Sequence, residues 1–283
     1  MKVVTTIREM QQEADRRRRE GLRIGVVPTM GYLHEGHLSL IRIARQHADV
    51  VVTTIFVNPT QFGPNEDFAK YPRDLDRDKG LADSAGTDIL FTPTEKEMYP
   101  NNYLTYVEVE KITKLLEGKF RPMHFRGVST VVAKLFNIVK PHIAVFGQKD
   151  AQQAVVIRQM IRDLDFDVDL VVAPIVREQD GLAMSSRNVY LSPTERSQGT
   201  VLFESLKLAE RIVQSGERDC SVVTSKMKDL ITSRSSATID YISIADQTTL
   251  DEAERLKPGD SVLVSLAVRF PSVRLIDDII IKV

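Results

Sequence analysis

Apolar positions along the first half of the chain switch between a helical and a strand-like spacing. Ile7, Met10 and Ala14 recur at helical intervals and predict a first helix, with Arg16 to Arg19 in its last turn, where cations favour the negative end of the helix dipole. After Gly21 the run Leu22 to Val27 predicts a strand. A glycine-containing loop to Gly36 and a helix whose stripe includes Leu38, Ile41 and Ala44 follow it, and Asp49 to Val57 predicts a second strand. Further strands are expected at Asp88 to Phe91, Tyr106 to Val109, Ile143 to Phe146 and Val168 to Val172. Helices are expected around Val128 to Val139 and Ala151 to Leu164, and a surface loop over Pro93 to Asn102. Strands alternating with helices imply an α/β unit with a parallel, doubly wound sheet.

From about Pro174 the pattern changes to a Ser/Arg-containing loop. A helix from about Thr194 to Gln214 and a second near Val222 to Ile231 come next, then short strands near Ile239 to Ile244, Ser261 to Val268 and Val273 to Ile281. This predicts a second, smaller α+β domain, so the expected organisation is residues 1–174 followed by residues 175–283. Two domains also suit the length, since 283 residues is roughly twice a ~150-residue domain.

Lys and Arg number 38 against 39 Asp and Glu, a net charge of −1. A balance so near neutral argues against nucleic acid or an anionic membrane as the main partner, and makes the arginines at 16 to 19 a solvated helix end. The polar residues from Thr5 onward exclude a secretory or transit leader, and the apolar stretch Val50 to Val57 falls far short of the ~18 residues of a membrane span. Cys220 is the single cysteine, which excludes an internal disulfide and a Cys-rich zinc site and suits a reducing, cytoplasmic compartment; it is expected as a small apolar filler.

In open α/β sheets ligands gather beyond the carboxyl ends of the strands. Three polar loops leave strands at that end: Pro28 to His37, Asn58 to Gly63, and Gly147-Gln148-Lys149-Asp150. A fourth polar segment, Met184-Ser185-Ser186-Arg187, lies just past the expected boundary. Gly31 and Gly36 are five apart, as in a phosphate loop, but His37 and Leu38 stand where that loop needs Lys and Ser/Thr, and no G-x-G-x-x-G occurs. What remains is a glycine that admits an anion, a helix N-terminus aimed at it, and His34 and His37 facing one way as donors. A metal held by the two histidines with Glu35, or two surface histidines capping a helix, are the alternatives. Lys149 and Arg187 suit phosphate, and Gln61 and Gln153 could fix a hydroxyl or carboxylate or be surface glutamines. Asp74, Asp76 and Asp78 could bind a divalent ion, with a solvated helix start the favoured reading.

Taken in order, Pro28-Thr29-Met30-Gly31 through His34-Glu35-Gly36-His37, Phe56-Val57-Asn58-Pro59-Thr60-Gln61-Phe62, Tyr71-Pro72-Arg73-Asp74, His124-Phe125-Arg126-Gly127-Val128, Phe146 to Asp150 with Gln152-Gln153, and Asp180 to Asn188 resemble the pantothenate synthetases. These are pantoate–β-alanine ligases of the nucleotidyltransferase superfamily with a His-x-Gly-His-type signature. The resemblance spans about residues 24 to 191. It implies a Rossmann-like ATP- and pantoate-binding domain over 1–174, a smaller α+β domain over 175–283 closing over the site, and a Mg²⁺-requiring cytoplasmic homodimer. The implied reaction condenses pantoate with β-alanine at the expense of ATP, giving pantothenate, AMP and pyrophosphate through a pantoyl-adenylate. Implied ATP positions are Met30, Gly31, Tyr32, Leu33, His34, Glu35, Gly36 and His37, then Gly147, Gln148, Lys149 and Asp150, Val176, and Met184, Ser185, Ser186 and Arg187. Gln61 and Gln153 match the pantoate positions and His37 the catalytic histidine, with Lys149 and Arg187 expected beside it; no metal ligand is assigned. Two positions depart from the pattern: Thr60 stands where Met is frequent and Gln148 where Glu is frequent. A nucleotidyltransferase acting on a phosphorylated acceptor, a class I aminoacyl-tRNA synthetase relative and a nucleotide-binding module without turnover are the competing readings.

Overall fold

The computed structural model describes residues 1–64 and 66–283. Strands β1 (Lys2–Val4), β2 (Ile24–Thr29), β3 (Val50–Ile55), β4 (Ile89–Phe91), β5 (Ile143–Gly147) and β6 (Asp169–Ala173) form one parallel sheet in the order β1-β4-β3-β2-β5-β6. The pairing of β2 with β3 runs from Ile24 opposite Val50 to Thr29 opposite Ile55, and on its other side Gly25 faces Ile143. Strands β2 and β3 are apolar on both faces because both faces are covered. Helices α1 (Ile7–Arg19), α6 (His124–Val139) and α7 (Ala151–Asp163) enclose a core with Val26, Val52, Met10 and Phe136, while α2 (Glu35–His47) and α3 (Leu75–Ala85) cover Val27, Val51 and Leu90 on the opposite face. Two single-turn helices, α4 (Glu95–Met98) and α5 (Glu117–Phe120), lie in the long connection from β4 to α6.

Beyond β6 the chain builds a second core. Strands β7 (Thr238–Asp246), β8 (Ser261–Arg269) and β9 (Arg274–Lys282) form an antiparallel sheet in sequence order, packed by α9 (Val201–Gln214) and α10 (Cys220–Arg234), which follow the short α8 (Pro193–Gln198). Cys220 is buried there, and burial pushes its thiol up to about 11, as an apolar filler would be. The two parts of the chain meet through an apolar cluster of Leu116, Ala151 and Val155 with Leu250 and Leu263, and through polar contacts. Arg274 on β9 donates to both carboxylate oxygens of Glu117 at 2.6 and 2.8 Å, Tyr241 donates to Glu117 at 3.0 Å, and Gln148 donates to Asp278 at 2.9 Å. No helix among the described residues is long and apolar enough to cross a membrane.

Three expectations need correction, and one strand was not expected. Tyr106 to Val109 is not a strand; the Val107 N–H donates to Thr130 Oγ1 of α6 at 2.9 Å instead of to a neighbouring strand. The helix expected over 194–214 is two helices, because at the Gly199-Thr200 junction the Leu202 N–H bonds only three residues back, to Gly199 O at 3.3 Å. The helix expected from Val128 begins at His124. Strand β1 has no counterpart among the expected elements, since three residues are too few to show a period.

Candidate functional site

The parallel sheet reverses its winding at β2, which lies between β3 and β5, so the loops after β2 and β5 border a crevice. Thr29, the last residue of β2, donates to Thr54 O at 2.7 Å and accepts the Gly31 N–H at 3.2 Å. Gly31 has φ +82°, and a Cβ there would lie 2.9 Å from Ile55 Cγ2 and 3.0 Å from Asp78 Oδ2, so dihedral and space both demand glycine. Asp78 of α3 is buried and accepts the N–H groups of Tyr32 and Leu33 at 2.6 and 2.7 Å. It is therefore a brace for the loop and not part of a solvated helix start. Burial raises its carboxyl above the usual range, against the opposing pull of those two donors. Asp74 caps α3 by accepting the Arg77 N–H at 3.2 Å, and the exposed Asp76 pairs with Lys79 at 3.0 Å. The three carboxylates are thus occupied separately and do not converge on a cation.

The braced loop delivers His34 and His37 to the start of α2, with ring centroids 4.0 Å apart. The His34 backbone N–H donates to His37 Nδ1 at 3.3 Å. Nδ1 therefore carries no proton, and in the neutral ring the proton sits on Nε2. Burial pushes His37 well below the ordinary histidine value, assisted by His34 and the Lys149 charge, so the ring is a neutral donor near pH 7. Burial, then Lys149, pushes His34 down to about 4. Its Nδ1 is buried with no side-chain hydrogen-bond partner among the described residues. The Glu35 carboxylate pairs with Arg42 on the exposed side.

Gln61 follows β3 in a 3₁₀ turn and is buried, its Nε2 donating to Met30 Sδ at 3.3 Å. Its main-chain oxygen accepts from His124 Nδ1 at 3.0 Å. A carbonyl can only accept, so His124 carries its proton on Nδ1, and burial holds this ring neutral as well. Beyond β6, Ser186 donates to Tyr32 O at 3.2 Å, and Arg187 donates to both oxygens of Asp67 at 2.8 and 2.9 Å. Arg187 is thus held by a carboxylate and not presented as a bare cation; burial lowers its pKa, but Asp67 together with Tyr71 and Asp150 leaves it raised on balance.

These groups line one cavity of about 220 Å³. Met30, His34, Gly36 and His37 come from the loop after β2 and Gln61 from the turn after β3. Gly147, Lys149 and Asp150 follow β5, with Gln153 from α7; Val176 and Met184, Ser185, Ser186 and Arg187 come from the segment after β6. Gly31, Tyr32, Leu33, Glu35 and Gln148 do not line it: Leu33 is in the core, and Tyr32 lies beneath the Arg77 guanidinium at 5.1 Å. The cavity adjoins a larger cleft of about 910 Å³ between the two sheets, with which it shares Arg121, His124, Lys149, Asp150, Ser185 and Arg187. Sequence reasoning missed Asp78, Asp67, Tyr71 and His124 as parts of the site. The quoted motifs contain Tyr71 and His124, but Asp67 and Asp78 carry no local signal.

No group of three or more His, Cys, Asp and Glu among the described residues could hold a metal by itself. Mg²⁺ needs less, since it retains water and is bound by one or two carboxylates with the phosphates of its substrate. Asp150 fits that use: it lines the cavity next to Lys149, and its carboxylate does not cap α7.

Comparison with known proteins gives concordant matches. A family model described as pantoate-beta-alanine ligase matches residues 2–280. A pantothenate synthetase of Acetivibrio thermocellus is 54% identical over 283 residues, all of both chains, and one of Thermotoga petrophila is 53% identical over 281 residues, 99% of this chain and 100% of the relative. The crystal structure of pantothenate synthetase from Thermus thermophilus superposes with a TM-score of 0.93 at 44% identity, covering 99% of each chain. A pantoate-beta-alanine ligase from Francisella tularensis, complexed with beta-gamma ATP and beta-alanine, gives a TM-score of 0.79 at 35% identity over 99% of this chain and 97% of that one.

Proposed function

The chain belongs to the pantoate–β-alanine ligase family, whose ATP-dependent ligation is its activity, and from that premise we propose the route and the residues that carry it. ATP binds over Met30, His34, Gly36 and His37, over Gly147, Lys149 and Asp150, and over Val176 and Met184 to Arg187, and pantoate lies against Gln61 and Gln153. A carboxylate oxygen of pantoate attacks the α-phosphate, the bond from that phosphorus to the bridging oxygen breaks, and pyrophosphate leaves. The amine of β-alanine then attacks the acyl carbon of the pantoyl-adenylate. The C–O bond to phosphate breaks, AMP departs with that oxygen, and the amine proton is lost to solvent.

His37 donates its Nε2 proton in a hydrogen bond to phosphate oxygen as charge develops, and Lys149 adds a positive charge beside it. Arg187, released from Asp67, meets the leaving phosphates. Neutral amides suit pantoate, because they orient its carboxylate without the tight pairing to arginine that would quench a nucleophile. Mg²⁺, held through Asp150 and phosphate oxygens, would neutralise phosphate charge when bound. Residues 1–174 form the ATP- and pantoate-binding domain and residues 175–283 the part that closes over it, supported by the bonds of Ser186, Arg187 and Tyr190 to Tyr32, Asp67 and Lys70. A cytoplasmic homodimer completes the reading. Exposed Leu104 and Tyr106 support a self-association surface, and a lone buried thiol suits a reducing compartment.

The observation that carries the reading is the meeting, in one cavity, of a neutral His37 donor, Lys149 and two amides at the point where the sheet reverses. Pyrophosphate release tests it. ATP with pantoate and β-alanine should give sustained release, and ATP with pantoate alone a single burst that ends once the adenylate fills the site. ATP alone should give none. No release from the full mixture would mark a nucleotide binder without turnover, and equal release with and without pantoate would mark a simple hydrolase.

A further inference from the structure

Gln61 is useful to an anionic substrate only if its NH₂ and not its oxygen faces the cavity, and the two ends of a carboxamide are nearly the same shape. Its orientation is imposed from behind by Asn58, which is 1% exposed and has all four of its hydrogen-bonding positions filled. Asn58 Nδ2 donates to Gly127 O at 3.1 Å. A main-chain carbonyl can only accept, so this contact identifies the Asn58 nitrogen and leaves its oxygen facing Thr60 and Tyr99, whose hydroxyls hold it there. The second Nδ2 hydrogen goes to Gln61 Oε1 at 3.1 Å, which turns the Gln61 NH₂ away from Asn58 and toward Met30 and the cavity. The Asn58 oxygen takes two hydroxyl donors, Thr60 Oγ1 at 2.9 Å and Tyr99 OH at 2.8 Å, and these hydroxyls lie 3.2 Å from each other. Gly127 makes the anchor possible: a Cβ there would lie 2.4 Å from Thr60 O and 2.5 Å from Gln61 N, so no larger residue lets α6 approach the turn.

We propose that Thr60 and Tyr99 are positioning residues that lock the Gln61 amide, through Asn58, with its donor end toward pantoate. Thr60 supplies one of the two hydroxyls that hold the Asn58 oxygen. A methionine in its place could donate nothing to Asn58, and Tyr99 would then hold the oxygen alone. Tyr99 is suited to its share: burial pushes its phenol up to about 12, so it remains a hydroxyl donor throughout the working range. The inference rests on the reading of Gln61 as a pantoate ligand.

The test measures steady-state KM for pantoate and for ATP, with kcat, in the full-length enzyme and in Thr60→Val, Tyr99→Phe and the double variant. Either hydroxyl can satisfy the Asn58 oxygen. Each single variant should therefore raise the pantoate KM only slightly, and the double by about tenfold, more than the product of the singles. The ATP KM and kcat should stay within twofold of wild type, and Thr60→Ser should behave as wild type because it keeps the hydroxyl. Gln61→Ala is measured alongside. If Gln61→Ala raises the pantoate KM and the double variant does not, the lock is wrong while the ligand role of Gln61 stands. Failure of Gln61→Ala itself to raise the pantoate KM would instead overturn that role, and the lock with it. A double variant that weakens ATP and pantoate equally despite an unchanged melting temperature also overturns the lock.

Discussion

In its proposed role His37 is a neutral Nε2 donor, because its Nδ1 is already occupied by the backbone N–H of His34 and burial keeps the ring neutral. Such a contact strengthens as negative charge gathers on phosphate in the transition state, so it contributes to kcat more than to ground-state binding. His37→Ala should lower kcat by on the order of 10²-fold or more while changing ATP affinity little; turnover and ATP titration on the same preparation decide between this and a binding role. His34 yields a prediction about stability. Its folded value is about 4 against 6.5 unfolded. Above pH 6.5 neither state holds the extra proton and the folded state is at full strength. As pH falls from 6.5 toward 4 the unfolded chain takes the proton first, so stability drops across that window. Denaturation midpoints between pH 7 and pH 4.5 should fall for the wild type and fall less steeply for His34→Asn. Parallel slopes would show that His34 is not held neutral by burial.

At the scale of elements, the site depends on how helix α3 braces the loop after β2. Asp78→Ala removes the acceptor of two buried N–H groups and should cost about 2 kcal/mol or more, with ATP affinity falling as the loop loses its shape. Asp74→Ala, which removes only the cap of the same helix, should cost about 1 kcal/mol and leave ATP affinity unchanged. Equal effects on ATP would contradict the brace. This difference also shows where sequence reasoning stopped. Strands β2, β3 and β5 were legible because each is a continuous apolar run ending in a polar loop, and those loops carry His34, His37, Lys149 and Gln61. Asp78 and Asp74 belong to one Asp-rich stretch and differ only in what the fold brings against them, which no local pattern records. Tyr106 to Val109 has strand-like alternation, but its N–H at Val107 is taken by Thr130 of α6, a contact 23 residues away. Thr60 and Tyr99 meet on Asn58 across 39 residues for the same reason.

Across the whole molecule, the small cavity and the larger cleft share Lys149, Asp150 and Arg187, so the second sheet sits where it can cover the reacting groups. Arg187 is held by Asp67 and Gln148 by Asp278, which ties the loops of the first sheet to elements beyond β6. On the proposed route, a second part closed over these groups would exclude the water that destroys an acyl-adenylate before the amine arrives. The proposed route makes one atom decisive: the carboxylate oxygen of pantoate that becomes bonded to phosphorus. The most direct measurement supplies pantoate with its carboxylate enriched in heavy oxygen, together with ATP and β-alanine, and reads the products by mass spectrometry. Attack on the α-phosphate followed by aminolysis predicts one labelled oxygen in each AMP and none in pyrophosphate. Unlabelled AMP with pantothenate still forming, or label released in inorganic phosphate, would contradict the adenylate route.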